Sequence, residues 1–255
     1  MSKDIGPILA GWDYNPDELQ VRIITGDDGR EKLQARIDLG LLQMELSGRP
    51  DGQRPEGFES YLDYLEDRAR KATSDEPLVL DRRDLALLMR EGVQYYHRYL
   101  ALFHLERYDL VARDTARNLR LFAFVREHAP GPRETMQFDQ YRPYVTMMHT
   151  KALGLQALER GDYPTALERI DEGIAAIRAF LREYDQPDRE ADCPELGHLL
   201  AWRHEVERNR PLGPIERLEQ QLELAVTREQ YEEAARLRDQ IRRLRQPPGD
   251  CARFP

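Results

Sequence analysis

Only two cysteines, Cys193 and Cys251, occur in 255 residues. They are too few and too far apart for a disulfide framework or a metal knuckle, so free thiols are the plain reading. Long apolar runs are missing as well: Leu119 to Val125 is interrupted by Arg120, and the N-terminal MSKDIGPILAGWD lacks the apolar segment of a signal peptide. That excludes a helical membrane span and leaves a cytoplasmic location as the default expectation. Nor is there an excess of basic residues. The formal net charge is -9, which argues against a general duplex-DNA binder, because affinity for phosphate needs clustered Lys and Arg. No GxxxxGK[ST] loop, nucleophile elbow, dinucleotide fingerprint or HExxH pair occurs, and an enzyme is not expected. His97 and His104, two turns apart on one helix, read as packing or surface, and Cys193, His198 and His204 lack a fourth ligand at suitable spacing. No catalytic residue, cofactor or metal ligand is therefore nominated.

With 40% hydrophobic and 33% charged residues, the chain has the composition of a soluble globular protein. Val21, Ile23 and Thr25, then Leu33, Ala35, Ile37, Leu39 and Leu41, alternate with polar residues around Gly26-Asp27-Asp28-Gly29. This is a β-hairpin pattern. The alternation changes phase at Leu41-Leu42 and continues through Met44 and Leu46, so a bulge or sharp bend leads into a third strand. Past the loop at 47–55, Phe58, Tyr61, Leu62, Leu65 and Ala69 make one stripe of a helix that can cover the sheet.

From Asp81 the pattern is helical. Leu85, Leu88, Tyr95, Tyr96, Tyr99, Leu102 and Phe103 give a broad apolar surface up to Glu106-Arg107, and Arg49 and Arg54 flank a Pro50-Asp51-Gly52 turn upstream. A second helix with a small-residue face, Ala112, Ala116, Leu119 and Ala123, ends at Ala129-Pro130-Gly131-Pro132. A third and fourth run over about 134–158 and 163–184, and a further one over about 196–208. The expected class is α+β, mostly α: a small α+β unit at 1–75, a helical body at 81–184, a linker and helix at 185–210, a helical hairpin at 211–246 and a tail at 247–255.

Within ALGLQALERGDYPTALERIDEGI, Leu153, Gly154, Gly161, Tyr163 and Ala166, with Gly173 further on, fall where a tetratricopeptide repeat carries large, small, glycine, aromatic and small residues. The stretch resembles one such repeat. The resemblance implies that Gly154 and Ala166 let two helices approach closely while Tyr163 fills the gap near their turn. Leu105-Glu106-Arg107-Tyr108 echoes Leu158 to Tyr163 as a degenerate copy.

Near the end, Ile215, Leu218, Leu222 and Ala225 recur at helical spacing, and after Thr227-Arg228-Glu229-Gln230 the pattern resumes at Tyr231, Ala234, Leu237, Ile241 and Leu244. Pro211 and Pro214 open this hairpin and Pro247-Pro248-Gly249 closes it. Leu218, Leu222, Ala225, Tyr231, Glu232, Ala234, Ala235, Leu237, Arg238, Asp239, Ile241 and Leu244 make it resemble the UVR motif of the bacterial excision-repair subunits UvrB and UvrC, with Leu222 and Tyr231 where Met and Phe are usual. Such hairpins are protein-contact modules, and one this short buries little surface alone. The resemblance thus implies a partner surface on Leu218, Leu222, Leu224, Tyr231, Ala235, Arg238 and Ile241, with Leu224 and Val226 off the inner face. The implied partner is a second UVR hairpin, on another copy or an excision-repair subunit, or a protein-quality-control assembly. Docking onto the same chain is the alternative.

Arg113, Arg117 and Arg120 stand at i, i+4 and i+7, a positive stripe suited to an acidic peptide, a terminal carboxylate or a phosphate. The competing reading is a solvated face paired to Asp109, Asp114 and neighbouring acids. The function expected from all this is a non-enzymatic interaction or adaptor protein. Two alternatives stay open: a DNA-repair accessory touching nucleic acid through the stripe or through Arg242, Arg243 and Arg245, and an enzyme with its site between the α+β unit and the helices.

Overall fold

Strand alternation in the N-terminal segment builds a three-stranded antiparallel sheet. The computed structural model describes residues 4–73, 75–211 and 213–245, so the tail at 247–255, with Cys251, lies outside the described residues. After a short turn of helix, α1 (Gly6–Leu9), come β1 (Val21–Thr25), β2 (Glu31–Ile37) and β3 (Gly40–Glu45), in the order β1-β2-β3. The first hairpin closes where Gly26 N–H donates to the Arg30 carbonyl at 2.8 Å, with Gly29 at φ +73°. The third strand arises as expected, but the reversal lies at Asp38-Leu39, because Ile37 pairs with Gly40. Leu39, read as a strand residue, is the tip of that turn and is 88% exposed, and Leu41 belongs to β3. Two-residue turns restart the inside-outside alternation, which is why the sequence shows a change of phase.

The inward residues Leu33, Ala35 and Met44 pack with Tyr99, Leu102, Val111, Met148 and Ala152. These come from α3 (Arg82–His104), α4 (Tyr108–His128) and α6 (Arg142–Glu159). The helix expected to cover the sheet, α2 (Tyr61–Lys71), does something else: Leu62 and Leu65 join Leu85, Leu88, Leu121 and Val125 in a cluster without strand residues. Phe58, expected in that helix, precedes it. Ser60 is the N-cap, its hydroxyl accepting from Asp63 N–H at 3.1 Å, and Phe58 stacks on Tyr64 at 5.7 Å from outside the helix.

Two further sequence expectations are corrected by packing. The small-residue face of α4 is not its buried face: Ala116 and Ala123 are exposed, while Val111, Ala112, Thr115, Asn118, Leu121 and Val125 are buried. The third body helix is two helices, α5 (Pro132–Asp139) and α6, because Pro143 has no N–H for the Asp139 carbonyl and its ring crowds that carbonyl. The break is held by Asp139, which is fully buried, accepts from Tyr184 Oη at 2.6 Å and pairs with Arg142 at 2.8 Å.

Next come α7 (Tyr163–Glu183), a 3-10 turn at Pro187–Asp192 and α8 (Pro194–Asn209). Ala166 is buried between these helices as expected, but Gly154 serves a different neighbour: a Cβ there would sit 2.6 Å from the Trp202 ring of α8. Close approach of α6 to α7 is made at Gly173, where a Cβ would overlap Thr150.

Four helices end in the same way. At Glu106, Gly161, Asp185 and Glu229 the backbone turns left-handed, with φ between +52° and +71°. In each case two amides turn back onto the last helical turn, as in Arg107 to Leu102 at 2.9 Å and Asp162 to Ala157 at 2.9 Å. This is a Schellman closure, and it explains the echo between the stretches around Leu105 and Leu158.

A buried charged layer joins these elements. Arg98 and Asp114, each 1% exposed, form a bidentate pair at 2.6 and 2.8 Å, and Arg98 Nη1 donates to the carbonyls of Glu45 and Gly48 at 2.8 Å each. Glu91, fully buried, accepts from the first amides of α2, Tyr61 at 2.7 Å and Leu62 at 3.2 Å, and pairs with Arg117 and Arg49. By contact, the chain divides into two units, Met1–Val206 and Glu207–Pro255. Removing one member of a buried pair leaves the other uncompensated, at a cost of about 3–5 kcal/mol. Arg98→Met is therefore expected to lower the thermal midpoint markedly, and Arg98→Met with Asp114→Leu to recover part of that loss. Equal midpoints for single and double variants in calorimetry would refute this coupling.

Candidate functional site

The second unit carries the hairpin formed by α9 (Pro214–Thr227) and α10 (Tyr231–Arg245). Proline at the start of α9 and glutamates at 232 and 233 in the first turn of α10 suit helix beginnings, and Arg242, Arg243 and Arg245 suit the end of α10. Glu229 supplies the left-handed residue between them at φ +58°. Gln230 N–H reaches the Ala225 carbonyl at 2.8 Å and Glu229 N–H the Val226 carbonyl at 3.0 Å.

The seam of the hairpin is small. Ala225, Ala234 and Leu237 are buried in it, with Leu218 and Leu222 packed against them, and Ile241 is also buried. This splits the seven residues assigned to partner contact. Leu218 and Leu222 pack in the seam and Ile241 is buried, as their helical phase turns them to the opposite helix. Tyr231, Ala235, Arg238 and Leu224 are exposed. Tyr231 and Leu244, expected inside, are 69% and 55% exposed, and Leu224 and Val226 are 50% and 51% exposed.

These exposed residues fall on different sides. At about 100° per residue, Leu224 and Val226 stand about 200° apart around α9 and cannot share a patch. Tyr231, Ala235, Arg238 and Arg242 form one outward stripe on α10. Angles run in opposite senses around antiparallel helices, which places Val226 beside this stripe and Leu224 on the far side. The cross-helix ion pair Arg245–Glu219 lies on the same side as Val226 by that count, and its formation supports the assignment. Arg238 and Arg242 share Asp239, at 3.6 and 3.1 Å.

The other expected site, the arginine stripe of α4, is not a free positive surface. Arg113 pairs with Asp114 at 2.9 Å and donates to the Leu46 carbonyl at 2.8 Å, which ties α4 to the end of β3. Arg117 is mostly buried against Glu91 of α3, and Arg120 holds Asp63 at 2.5 Å and Glu66 at 3.2 Å, both on α2. Burial, with Arg120 and Arg49 nearby, draws the Arg117 pKa below the ordinary guanidinium value, against the opposing pull of Asp63 and Glu66. Asp109 pairs with Arg107, and of the acids the sequence offered as partners only Asp114 is used by the stripe. Its other carboxylates, Glu91, Asp63 and Glu66, come from helices distant in sequence, which spacing within α4 could not reveal.

Among the described residues no group of three or more His, Cys, Asp and Glu could hold a metal ion, and no helix is long and apolar enough to cross a membrane. Glycine at the left-handed closure removes a Cβ clash of about 1–2 kcal/mol. Glu229→Gly is therefore expected to slow amide exchange throughout α9 and α10, and faster exchange in that variant would refute the closure.

The comparisons with known proteins bear on this hairpin alone. The family model described as the UvrB/uvrC motif matches residues 214–246, and the rest of the chain has no family match. No curated protein and no solved structure matches the chain. What family likeness the chain has is therefore carried by α9 and α10, which form the antiparallel hairpin that the UVR motif implies.

Proposed function

We propose that the protein is a non-enzymatic adaptor whose C-terminal hairpin docks onto a helical partner through Val226, Tyr231, Ala235 and Arg238. The observation that carries this is the position of Tyr231. Three hairpins place a tyrosine two residues after the left-handed closure: Tyr108 after Glu106, Tyr163 after Gly161 and Tyr231 after Glu229. Tyr108 stacks on Phe103 at 5.5 Å and Tyr163 packs against the cluster of α6, α7 and α8. Tyr231 has only the hairpin beneath it and stays largely exposed. Large exposed aromatics beside small residues are the usual anchors of an interface, and Ala235 lets a second helix approach closely.

A second UVR-type hairpin, on another copy or another protein, is the partner chemistry this stripe suits best. The resemblance to UvrB and UvrC is compatible with a repair-associated partner. Direct nucleic-acid contact is the weaker reading, since residues 214–245 contain seven arginines and seven acids and so lack the basic footprint that phosphate binding needs.

Partner capture and solution mass of the full chain test this. Tyr231→Glu with Ala235→Glu is expected to weaken association at least tenfold without loss of helix, both residues being exposed, while Leu224→Glu on the far side leaves association unchanged. An unaltered complex with the paired variant, or equal loss with Leu224→Glu, sinks the assignment. Salt-dependent binding to DNA at low ionic strength would favour the repair-accessory reading instead.

A further inference from the structure

The helical body holds a pocket of about 430 Å³ between α3, α4, α5 and α6 that the adaptor reading does not use. Its walls include Met89, Val93, Phe122 and Phe138, and no Asp, Glu, Lys or Arg lines it. His97 lies at its mouth, and partial loss of water lowers its pKa below the ordinary imidazole value. An ionic guest would therefore be left without a counter-charge.

The polar capacity of the pocket is phenolic. Tyr96, Tyr99, Tyr141 and Tyr144 line it, with Tyr96 edge-on to Tyr99 at 5.5 Å and 6.3 Å from Tyr144. Tyr99 is 1% exposed and its hydroxyl makes no hydrogen bond among the described residues, but it is not one of the sealed, unpartnered side-chain atoms, so the exposure it keeps is at the pocket. The part-buried Tyr61 and Tyr184 hydroxyls, by contrast, each donate to a carboxylate, Asp84 and Asp139, at 2.6 Å. A hydroxyl left without a protein partner at a pocket wall is free to donate to an acceptor on a guest. Asn118 is already engaged, its amide donating to the Gly92 carbonyl at 3.0 Å and its oxygen accepting from Arg117. The unused polar capacity is therefore phenolic, and its stronger half, O–H donation, is met by an acceptor on the guest.

From this geometry we propose that the pocket binds an uncharged, apolar, ring-containing small molecule bearing a carbonyl oxygen, with Tyr99 donating to that oxygen. The volume fits the class: about 150 Å³ holds a single benzene ring, so the pocket has room for two fused rings and a substituent.

The test uses two probes of equal shape, 2-acetylnaphthalene and 2-isopropenylnaphthalene, titrated into the full chain and followed by calorimetry. The ketone is expected to bind about tenfold more tightly, and Tyr99→Phe to erase that preference while leaving the affinity of the hydrocarbon unchanged. Gly92, on α3, offers a control that does not depend on the phenols. A Cβ there meets nothing nearer than Leu121 at 3.8 Å, so Gly92→Ala should keep both affinities and Gly92→Leu should abolish both without lowering the thermal midpoint. No binding of either probe to the wild-type chain overturns the proposal and leaves the pocket to a side chain of a protein partner. Retained preference in Tyr99→Phe, or retained binding in Gly92→Leu, overturns it as well.

Discussion

A guanidinium buried to 1% exposure must have its donors occupied, and Arg98 meets that demand with two bonds to Asp114 and two to the carbonyls of Glu45 and Gly48. That single side chain ties α3 to α4 and both to the end of the sheet. Two helical turns away along α3 the same logic repeats, with Glu91 capping α2 and held by Arg117 and Arg49. Tyr95 lies between the two guanidinium groups, 4.8 Å from Arg98 and 4.2 Å from Arg117. Such pairs add little net stability compared with an apolar core, but they are directional, and leaving any member unpaired is costly. The layer thus selects one arrangement of sheet and helices. It also accounts for the arginines of α4, each of which reaches a different element: Arg113 to the end of β3, Arg117 to α3 and Arg120 to α2.

The helical hairpins of both units share one closure. A left-handed residue followed by an N-cap position and a tyrosine recurs at Glu106, Gly161 and Glu229. Only one of these three is glycine, so two of the loops tolerate a Cβ in a backbone region that disfavours it. The tyrosine that follows is half-buried against hydrophobic neighbours in the body and exposed in the terminal hairpin. The same local geometry thus yields a packed residue in one setting and an exposed one in the other.

The two proposed binding surfaces differ in kind. The hairpin presents a shallow stripe with one aromatic and balanced charge, as suits a helical partner. The pocket of the body is aromatic, uncharged and supplied with an unsatisfied phenol, as suits a small guest.

Much of this was legible from spacing alone. Period-two alternation over 21–46 specified three strands, and period-3.6 patterns with Pro and Gly punctuation specified the long helices and the terminal hairpin, because these signals depend on neighbours in sequence. The single turn at Leu39 and the break at Pro143 were also written locally, the second in the missing N–H of Pro143. What no spacing could show is which face meets which partner. Leu62 and Leu65 leave the sheet for another cluster, Gly154 seats Trp202, and Arg117 finds Glu91, because those choices depend on contacts between residues far apart in the chain. The sequence by itself determined the elements and the identity of the terminal hairpin as a UVR-like module. Only the tertiary structure decided that three of its apolar residues are turned to its own seam, that the α4 arginines are internal ties, and that four tyrosines converge on a pocket, since each outcome depends on how distant segments pack.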